Sequence, residues 1–253
     1  MIYAGIDIGS TAAKAIILDE SKQNIIAKKL MPTGWNSKET AGEILTWLES
    51  LNFSRSDSRI IATGYGRVSV PYADKTLTEI TCHAKGAAFL ANESGNLTVI
   101  DIGGQDTKII LLSNGRVVDF VMNDKCSAGT GKFLEVMSNR MGLTLPEFFA
   151  LAEHGQEVKI SSMCTVFAES EIVSLMGLGT PRENIACGAI SSVAAKVAIL
   201  AGRKANGTKN YFLTGGFCEA ALLVKKLAEV LNAEVKTCPD SRFAGAIGAA
   251  LLG

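Results

Sequence analysis

The sequence predicts an α/β protein made of two copies of one strand-rich unit, and two observations support this fold class. The stretch IDIGSTAAKAIIL begins at Ile6 and IDIGGQDTKIILL begins at Ile100, and they align without a gap with 7 of 13 positions identical. In both halves the aligned stretch is followed by further strand patterns in the same order. An aligned motif together with a matching order of strands indicates duplication rather than chance.

Apolar periodicity places the elements of the first half. It predicts four strands, which are YAGIDIG, KAIILD, NIIAKKL and RIIATG. Amphipathic patterns predict helices over about residues 38–51 and 77–90. These elements form the first predicted domain, residues 1–94, which a C-terminal helix at residues 241–253 is expected to join.

The second half restarts the pattern with the strands LTVIDIGG, TKIILLSN and RVVDFVMN, and Asn114-Gly115 marks a hairpin turn between the last two. The helix NIACGAISSVAAKVAILAGR, the strand NYFLTG and the helix EAALLVKKLAEVLN follow. Residues at about 122–180 have no counterpart in the first half. The second predicted domain, residues 95–240, therefore carries an insertion.

Composition restricts the class of function. Of the 253 residues, 47% are hydrophobic and 20% are charged, which is typical of a folded protein with a substantial core. Lys and Arg together number 25, as do Asp and Glu, so no overall charge favours nucleic acid or an anionic membrane. Because a basic leader and a long apolar run are also missing, we expect a cytoplasmic protein without nucleic-acid or membrane partners. Its six cysteines are then expected to be thiols.

Each copy of the repeated stretch places an Asp at the end of an apolar strand, a Gly-containing turn, and a Lys near the start of the returning strand. Gly103 and Gly104 carry no side chain that would keep a phosphate away from the backbone N–H groups. Two such hairpins facing one another across a cleft would clamp a polyphosphate, with Asp7 and Asp101 near Mg²⁺ and Lys14 on the phosphates. The alternative interpretation is an ordinary domain whose glycines only close hairpins.

A further glycine motif favours a nucleotide site. Thr214-Gly215-Gly216 follows an apolar strand and precedes a helix, where a flat and sterically open surface could accept a nucleoside. The order of two phosphate turns and a later Gly-Gly turn resembles the superfamily of ATPases that contains actin, sugar kinases and heat-shock chaperones. The fold implied by this resemblance is a duplicated actin-like (ribonuclease H-like) fold with two domains around a nucleotide cleft.

Two cysteines of the insertion precede predicted helices, in NDKCSAGTG and SSMCTVFAESE. A helix N-terminus favours anions and lowers the pKa of a thiol, so Cys126 and Cys164 suit a thiolate or a thiolate-bound cluster. Two ligands from one chain cannot complete a four-thiolate site, although a two-fold dimer would supply four for a [4Fe–4S] cluster. A packing role without any metal stays open at this point.

Other candidate sites favour structural roles over metal binding or catalysis. Cys82-His83 suggests a metal site, but adjacent residues on a helix point in different directions, which favours packing or local hydrogen bonding. Glu169 and Glu171 are two positions apart and cannot share one helical face. Solvated or capping carboxylates are therefore preferred to a catalytic one.

Longer strings carry a closer resemblance. The chain contains GIDIGSTAAK, ATGYGR, EITCHAKGA, VIDIGGQDTK, MNDKCSAGTGKFLEVM, SSMCTVFAESE, TGG and FAGAIGAA in this order. Together they resemble the activator component of 2-hydroxyacyl-CoA dehydratases, within the wider family that includes the ATPase subunits of benzoyl-CoA reductase. The resemblance covers the whole chain and includes both cysteine strings.

The resemblance implies a role for each matching position. The implied residues are Ser10, Thr11, Ala12, Ala13 and Lys14 in the first phosphate loop, Gln105 with Asp101 and Asp106 in the second, Gly215 and Gly216 beside the adenosine, and Cys126 and Cys164 as ligands of a cluster that bridges a homodimer. Asp7 and Asp101 are expected to organise Mg²⁺, and Gln105 to position the attacking water. FCEAA after the Gly-Gly turn departs from the family pattern, which leaves the adenine contacts open.

The implied function is ATP-gated electron transfer. Reduced ferredoxin or flavodoxin would load the cluster, and ATP hydrolysis to ADP would drive the electron into an iron–sulfur dehydratase or reductase partner. One alternative is a small-molecule kinase of the same superfamily, which would place a carboxylate base against a substrate hydroxyl. A second alternative is a nucleotide-sensing scaffold without the cluster.

Overall fold

The computed structural model describes residues 1–161, 164–205 and 208–253. The strands in these ranges are β1 (Ile2–Ile8), β2 (Ala12–Leu18), β3 (Ile25–Pro32), β4 (Ser58–Thr63), β5 (Lys75–Thr76), β6 (Leu97–Ile102), β7 (Thr107–Ser113), β8 (Arg116–Asn123), β9 (Asn210–Gly215) and β10 (Glu234–Lys236). The helices are α1 (Ser37–Ser50), α2 (Glu79–Leu90), α3 (Gly131–Arg140), α4 (Leu145–Ala152), α5 (Thr165–Gly177), α6 (Arg182–Gly202), α7 (Ala221–Leu231) and α8 (Ala244–Leu251).

The strands form two five-stranded sheets with one plan. The first sheet has the order β3-β2-β1-β4-β5, and the second, counted from the corresponding edge, has the order β8-β7-β6-β9-β10. In the first sheet β1 is antiparallel to β2 and parallel to β4. The shared order agrees with the predicted duplication and extends it, because β4 and β9 occupy equivalent positions.

The chain divides into two compact units. The first contains Met1–Val99, Ile110–Val118 and Cys238–Gly253, and the second contains Ile100–Ile109 and Asp119–Thr237. Three strands of the second sheet thus contribute residues to both units. The predicted division between residues 94 and 95 therefore stays a proposal.

In the first unit the sheet is covered on both faces. Ile44 of α1 packs in one apolar cluster with Ile6 and Ile8 of β1. Ala246 of α8 packs in another cluster with Ile16 of β2. Because both faces are covered, β1 is apolar along its length and its one charged residue, at its C-terminal end, is also buried.

In the second unit α6 packs against α3, α4 and α7. Within the described residues α6 is the helix that is long and apolar enough to cross a bilayer, with a mean hydropathy of 1.8. The protein buries 72% of that apolar window, as is usual for the core helix of a globular fold.

The predicted insertion contains α3, α4 and α5. The sequence predicted a loop leading into a helix at the positions of α3 and α5, but it did not predict α4. That helix begins with a capping box, in which Thr144 and Glu147 each accept a hydrogen bond from the other's backbone N–H.

Candidate functional site

The first hairpin, residues 2–18, brings the predicted Asp and Lys together. β1 and β2 pair in a register that sets Asp7 opposite Lys14, and Lys14 Nζ lies 3.6 Å from Asp7 Oδ2. The turn is closed by the Gly9 N–H, which donates to the Ala12 carbonyl at 3.1 Å. Ser10 and its neighbour Thr11 lie exposed at its tip. Ala12 is half-buried and Ala13 is buried.

Asp7 is buried, with 1% of its surface exposed, and its two oxygens differ. Oδ2 faces Lys14 and also His83, whose Nε2 lies 3.9 Å away. Oδ1 has no hydrogen-bond partner within the described part of the chain. Gly64 lies against this oxygen with a φ of +87°, and a Cβ there would lie 2.5 Å from Oδ1. His83 thus lies beside Asp7, a position that the sequence did not reveal.

This arrangement fits a hydrated Mg²⁺ ion. A buried carboxylate oxygen without a donor is costly unless a cation or water reaches it. No group of three or more His, Cys, Asp and Glu side chains in the described ranges is placed to enclose a metal ion. Mg²⁺ commonly uses one or two carboxylates and takes its other ligands from water and substrate phosphates. Asp7 is suited to such a site.

The turn of the second hairpin, residues 97–113, is closed in the same way, but its charged side chains are arranged differently. The Gly103 N–H donates to the Asp106 carbonyl at 2.9 Å. Lys108 is 2% exposed, and its Nζ lies 3.4 Å from Asp101 Oδ2 and 2.6 Å from Asp106 Oδ2. The repeat aligns Lys108 with Lys14, but the sequence predicted no role for Lys108 in the site.

The tip of the second turn is accessible. Gln105 is exposed, and its side chain makes no hydrogen bond within the described residues. Gly103 and Gly104 are half-buried, so their backbone can be approached from one side. The predicted water-positioning residue is therefore on the surface of its unit beside the buried Asp101.

Thr214 and Gly215 complete the surroundings of Asp101. Thr214 Oγ1 donates to Asp101 Oδ1 at 3.1 Å. Gly215 has a φ of +91°, and a Cβ there would lie 2.3 Å from the Ile102 carbonyl oxygen and 2.9 Å from Asp101 Oδ1. Gly64 makes the equivalent approach to the first hairpin, so the Thr-Gly of ATGYG is the counterpart of the Thr-Gly of LTGGF. Gly216, the other predicted adenosine contact, is exposed.

The two predicted cluster ligands are exposed and lie on connected loops. Cys126 lies in residues 124–130, here called the Cys126 loop, and its carbonyl accepts from Asn123 Nδ2 at 2.7 Å. Cys164 is the N-cap residue of α5. The residues that follow them, Ser127 and Thr165, share a hydrogen bond of 2.8 Å between their hydroxyl oxygens. The structure thus brings both cysteines to one region.

The other cysteines are less accessible. Cys82, Cys187 and Cys218 are buried, and Cys238 is half-buried. Burial raises the pKa of the Cys82 thiol to about 11, and burial also raises the pKa of Cys187. Both are therefore neutral thiols of the core, which for Cys82 agrees with the packing interpretation.

The Glu169 and Glu171 carboxylates are also occupied. Glu169 accepts from Arg140 Nε at 2.7 Å, and Glu171 accepts from the Ser161 N–H at 2.9 Å. These contacts favour structural roles over catalytic ones, as the sequence predicted.

Hydrogen bonds join the second hairpin to the Cys126 loop. The N–H groups of the first two residues of α3 donate to the carbonyls of Gly103 and Gly104 at 2.9 and 2.8 Å. Thr107 Oγ1 donates to the Gly129 carbonyl at 2.7 Å. The start of α3 and the end of the Cys126 loop are therefore anchored on this hairpin.

Comparison with known proteins identifies the family of this chain. A model of the BadF/BadG/BcrA/BcrD ATPase family matches residues 4–253. The chain belongs to this family. It is 44% identical over 250 residues to the (R)-2-hydroxyglutaryl-CoA dehydratase activating ATPase of Acidaminococcus fermentans, covering 98% of this chain and 95% of the relative. The predicted family is confirmed, and the chain is an ATPase of that family.

Solved structures show the same fold. Component A of the A. fermentans (R)-2-hydroxyglutaryl-CoA dehydratase matches with a TM-score of 0.93 and 42% identity, over 100% of this chain and 97% of that one. The Clostridium difficile activator of 2-hydroxyisocaproyl-CoA dehydratase, with bound ADPNP, has a TM-score of 0.91 and 38% identity over 100% and 94%. A ROK family glucokinase from Streptomyces griseus shares the fold alone, with a TM-score of 0.66 and 16% identity over 100% and 99%. The predicted actin-like fold class is confirmed.

Proposed function

We propose that this chain is an ATP-dependent electron-transfer activator of a 2-hydroxyacyl-CoA dehydratase or a related reductase. The observation that carries the proposal is the connection between the second hairpin and the two exposed cysteines. A nucleotide-binding hairpin that is hydrogen-bonded to a thiolate site can pass a nucleotide-dependent change to that site. A small-molecule kinase does not require such a connection.

In this proposal the two hairpins bind ATP and Mg²⁺. Ser10, Thr11 and the N–H groups of their turn contact phosphate, and Lys14 neutralises part of its charge. Asp7 Oδ1 and Asp101 would hold the hydrated Mg²⁺. Gly215 and Gly216 border the adenosine.

Hydrolysis takes place at the second hairpin. Gln105 orients the attacking water toward the γ-phosphate, and the reaction consumes ATP and water and releases ADP and phosphate. Asp106 is held by Lys108 at 2.6 Å, so it supports the turn that carries Gln105. Positioning and electrostatic stabilisation supply most of the catalysis in this class of reaction.

Cys126 and Cys164 hold half of a [4Fe–4S] cluster, and a second copy of the chain supplies the other two thiolates. Held by these cysteines, the cluster would supply one-electron transfer from reduced ferredoxin or flavodoxin to an iron–sulfur partner in the cytoplasm. The first turn of α5, next to Cys164, carries Val166 and Phe167, which are 65% and 68% exposed. Apolar side chains at this position support a homodimer whose contact surrounds the cluster.

Iron content and nucleotide turnover test the proposal. Anaerobically purified protein should contain about four iron and four sulfide per dimer, and its spectrum should change when ATP is added. Cys126→Ala and Cys164→Ala should lose the iron and keep ATP binding, whereas Asp101→Asn should keep the iron and lose hydrolysis. Cys238→Ala is the matched control, since Cys238 is half-buried and should not affect the iron.

Two outcomes would contradict the proposal. An iron-free wild-type dimer after anaerobic reconstitution would support a nucleotide-sensing scaffold. A phosphorylated small molecule formed in proportion to ADP would support a kinase.

A further inference from the structure

Lys196 occupies a defined position beside the cysteines, and the proposed function assigns it no role. It lies on α6, and its Nζ is 4.7 Å from the centroid of the Phe133 ring on α3. Its stem packs on the Cys126 loop, since a Cβ built on Gly129 would lie 3.1 Å from Lys196 Cβ. Lys196 and Cys126 line the same pocket of about 210 Å³.

Electrostatics relate this ammonium to both thiols. Burial lowers the pKa of Lys196, while Cys126, Cys164 and Glu171 act in the opposite direction. Lys196 shares a pocket with Cys126, and the Ser127–Thr165 hydrogen bond brings Cys164 to the same region. The cation–π contact with Phe133 and the packing on Gly129 restrict the side chain, which keeps its charge in place.

We propose that Lys196 is a positioning residue that places a fixed positive charge beside Cys126 and Cys164 and thereby raises the reduction potential of the cluster they hold. This inference rests on the proposed function. An added electron makes a thiolate-bound cluster more negative, so a nearby cation stabilises the reduced form more than the oxidised form. The effect is strongest where water is partly excluded, and Lys196 is half-buried.

Other charged groups near this site have weaker claims. Glu171 is bound to the Ser161 N–H and hydroxyl, both at 2.9 Å, and its charge acts against that of Lys196. Arg203 lines the same pocket but is exposed, where water and salt screen its charge. Lys125 precedes Cys126 in sequence but is exposed, where water and salt screen its charge. Lys125 is therefore a matched control.

A redox titration followed by electron paramagnetic resonance tests the inference on the intact dimer. At the wild-type midpoint potential, Lys196→Gln and Lys196→Met should lower the ratio of reduced to oxidised cluster about tenfold, which corresponds to about 59 mV for one electron. Lys196→Arg, which keeps the charge, should stay within about threefold of wild type. Lys125→Gln should do the same.

The outcomes separate this inference from the proposed function. If wild-type protein holds no cluster, both fail. If it holds one and both neutral variants keep the wild-type iron content and potential, the Lys196 inference alone is overturned. Lys196→Met keeps an apolar stem over Phe133 and Gly129, so it is a second test if the Gln variant folds poorly. Loss of iron in the neutral variants but not in Lys196→Arg would support a role for the charge.

Discussion

The two hairpins have the same backbone closure, but different parts of the chain support them. Each is closed by a Gly N–H that donates to the carbonyl three residues on, at 3.1 Å from Gly9 and 2.9 Å from Gly103. Thr33, which follows β3 of the same sheet, supports the first turn by donating from Oγ1 to the Gly9 carbonyl at 2.7 Å. The second turn is supported by α3 and the Cys126 loop. Only the second, within the described residues, is bonded to the cysteine insertion.

The Asp and Lys side chains of the two hairpins also differ in their hydrogen bonds and exposure. Asp7 has one oxygen without a hydrogen-bond partner among the described residues, and its Lys14 is 16% exposed. Asp101 has Thr214 on one oxygen and Lys108 on the other, and Lys108 is 2% exposed. The lysine of the motif can therefore face a ligand in the first copy and support the turn in the second. Equivalent residues of a duplicated unit therefore need separate functional assignments.

The largest expected effect separates the two lysines. Lys108→Met should lower the free energy of unfolding by about 3–5 kcal/mol, because it leaves two carboxylates without the cation buried between them. Lys14→Met should lower it by only about 1–2 kcal/mol, since solvent reaches that pair. Urea denaturation measures both. Lys225→Met, at an exposed position on α7, is the control.

Equal losses in the two variants would mean that the lysines have the same role. Lys14→Met should in addition raise the KM for ATP about tenfold or more, because a phosphate loses a charged partner, typically worth about 1.5–3 kcal/mol.

Substitutions at the tips of the two turns test whether the first hairpin mainly binds ATP and the second mainly hydrolyses it. Gln105→Ala should lower the kcat of ATP hydrolysis about 100-fold and leave KM nearly unchanged, because the attacking water loses its orientation. Ser10→Ala should raise KM about fivefold with little change in kcat, as expected for one hydrogen bond to phosphate. Steady-state kinetics with Mg²⁺ measure both. The opposite pattern would reverse the roles of the hairpins, and Gln156→Ala, an exposed Gln of the second unit, is the control.

Substitutions of the residues that support the two turns test whether only the second hairpin is linked to the cysteine insertion. Thr107→Val removes the 2.7 Å hydrogen bond to the Gly129 carbonyl, so it should reduce the ATP-induced change in the cluster spectrum severalfold, in line with a coupling of about 1 kcal/mol. Hydrolysis should persist. Thr33→Val removes the equivalent 2.7 Å bond in the first hairpin and should leave that spectral response intact. A response that both variants lose equally would show that the cysteine insertion has no special link to the second hairpin.

Local patterns determined much of what could be predicted. The two Asp-Ile-Gly turns predicted both hairpins, and the apolar period predicted a helix at residues 38–51 where α1 spans Ser37–Ser50. Asn114 and Gly115 have φ values of 51° and 69°, as their hairpin signal predicted. The Thr144 capping box of α4 was readable but missed, and Lys108 was aligned with Lys14 without being given a role.

Other features of the site depend on contacts between distant residues, and no local pattern predicts them. Ser127 and Thr165 are 38 residues apart in sequence yet share a hydrogen bond. His83 reaches Asp7 because α2 packs on α8, and α8 packs on β1. The position of Lys196 depends on how α6 lies against α3. Such positions follow from the packing of whole elements, which the sequence pattern of each element alone does not determine.

The smallest expected effect concerns the far ends of the hairpins. The turn after β2 is held by Asp19, which accepts from Asn24 Nδ2 at 2.7 Å and Ser21 Oγ at 2.8 Å, whereas the turn after β7 uses the left-handed backbone of Asn114-Gly115. The Asn24 hydrogen bond, aided by Ser21, lowers the pKa of Asp19 from 3.8 to about 2.

A lowered pKa in the folded state means that this contribution to stability is complete above pH 3.8 and is lost as the pH falls toward about 2. An NMR pH titration should therefore show the amides of the turn after β2 changing in that window, while the amide of Gly115 shows no step there. Asp19→Asn should abolish the step. A step of equal size in both turns would mean that the acid acts on the fold as a whole rather than on Asp19.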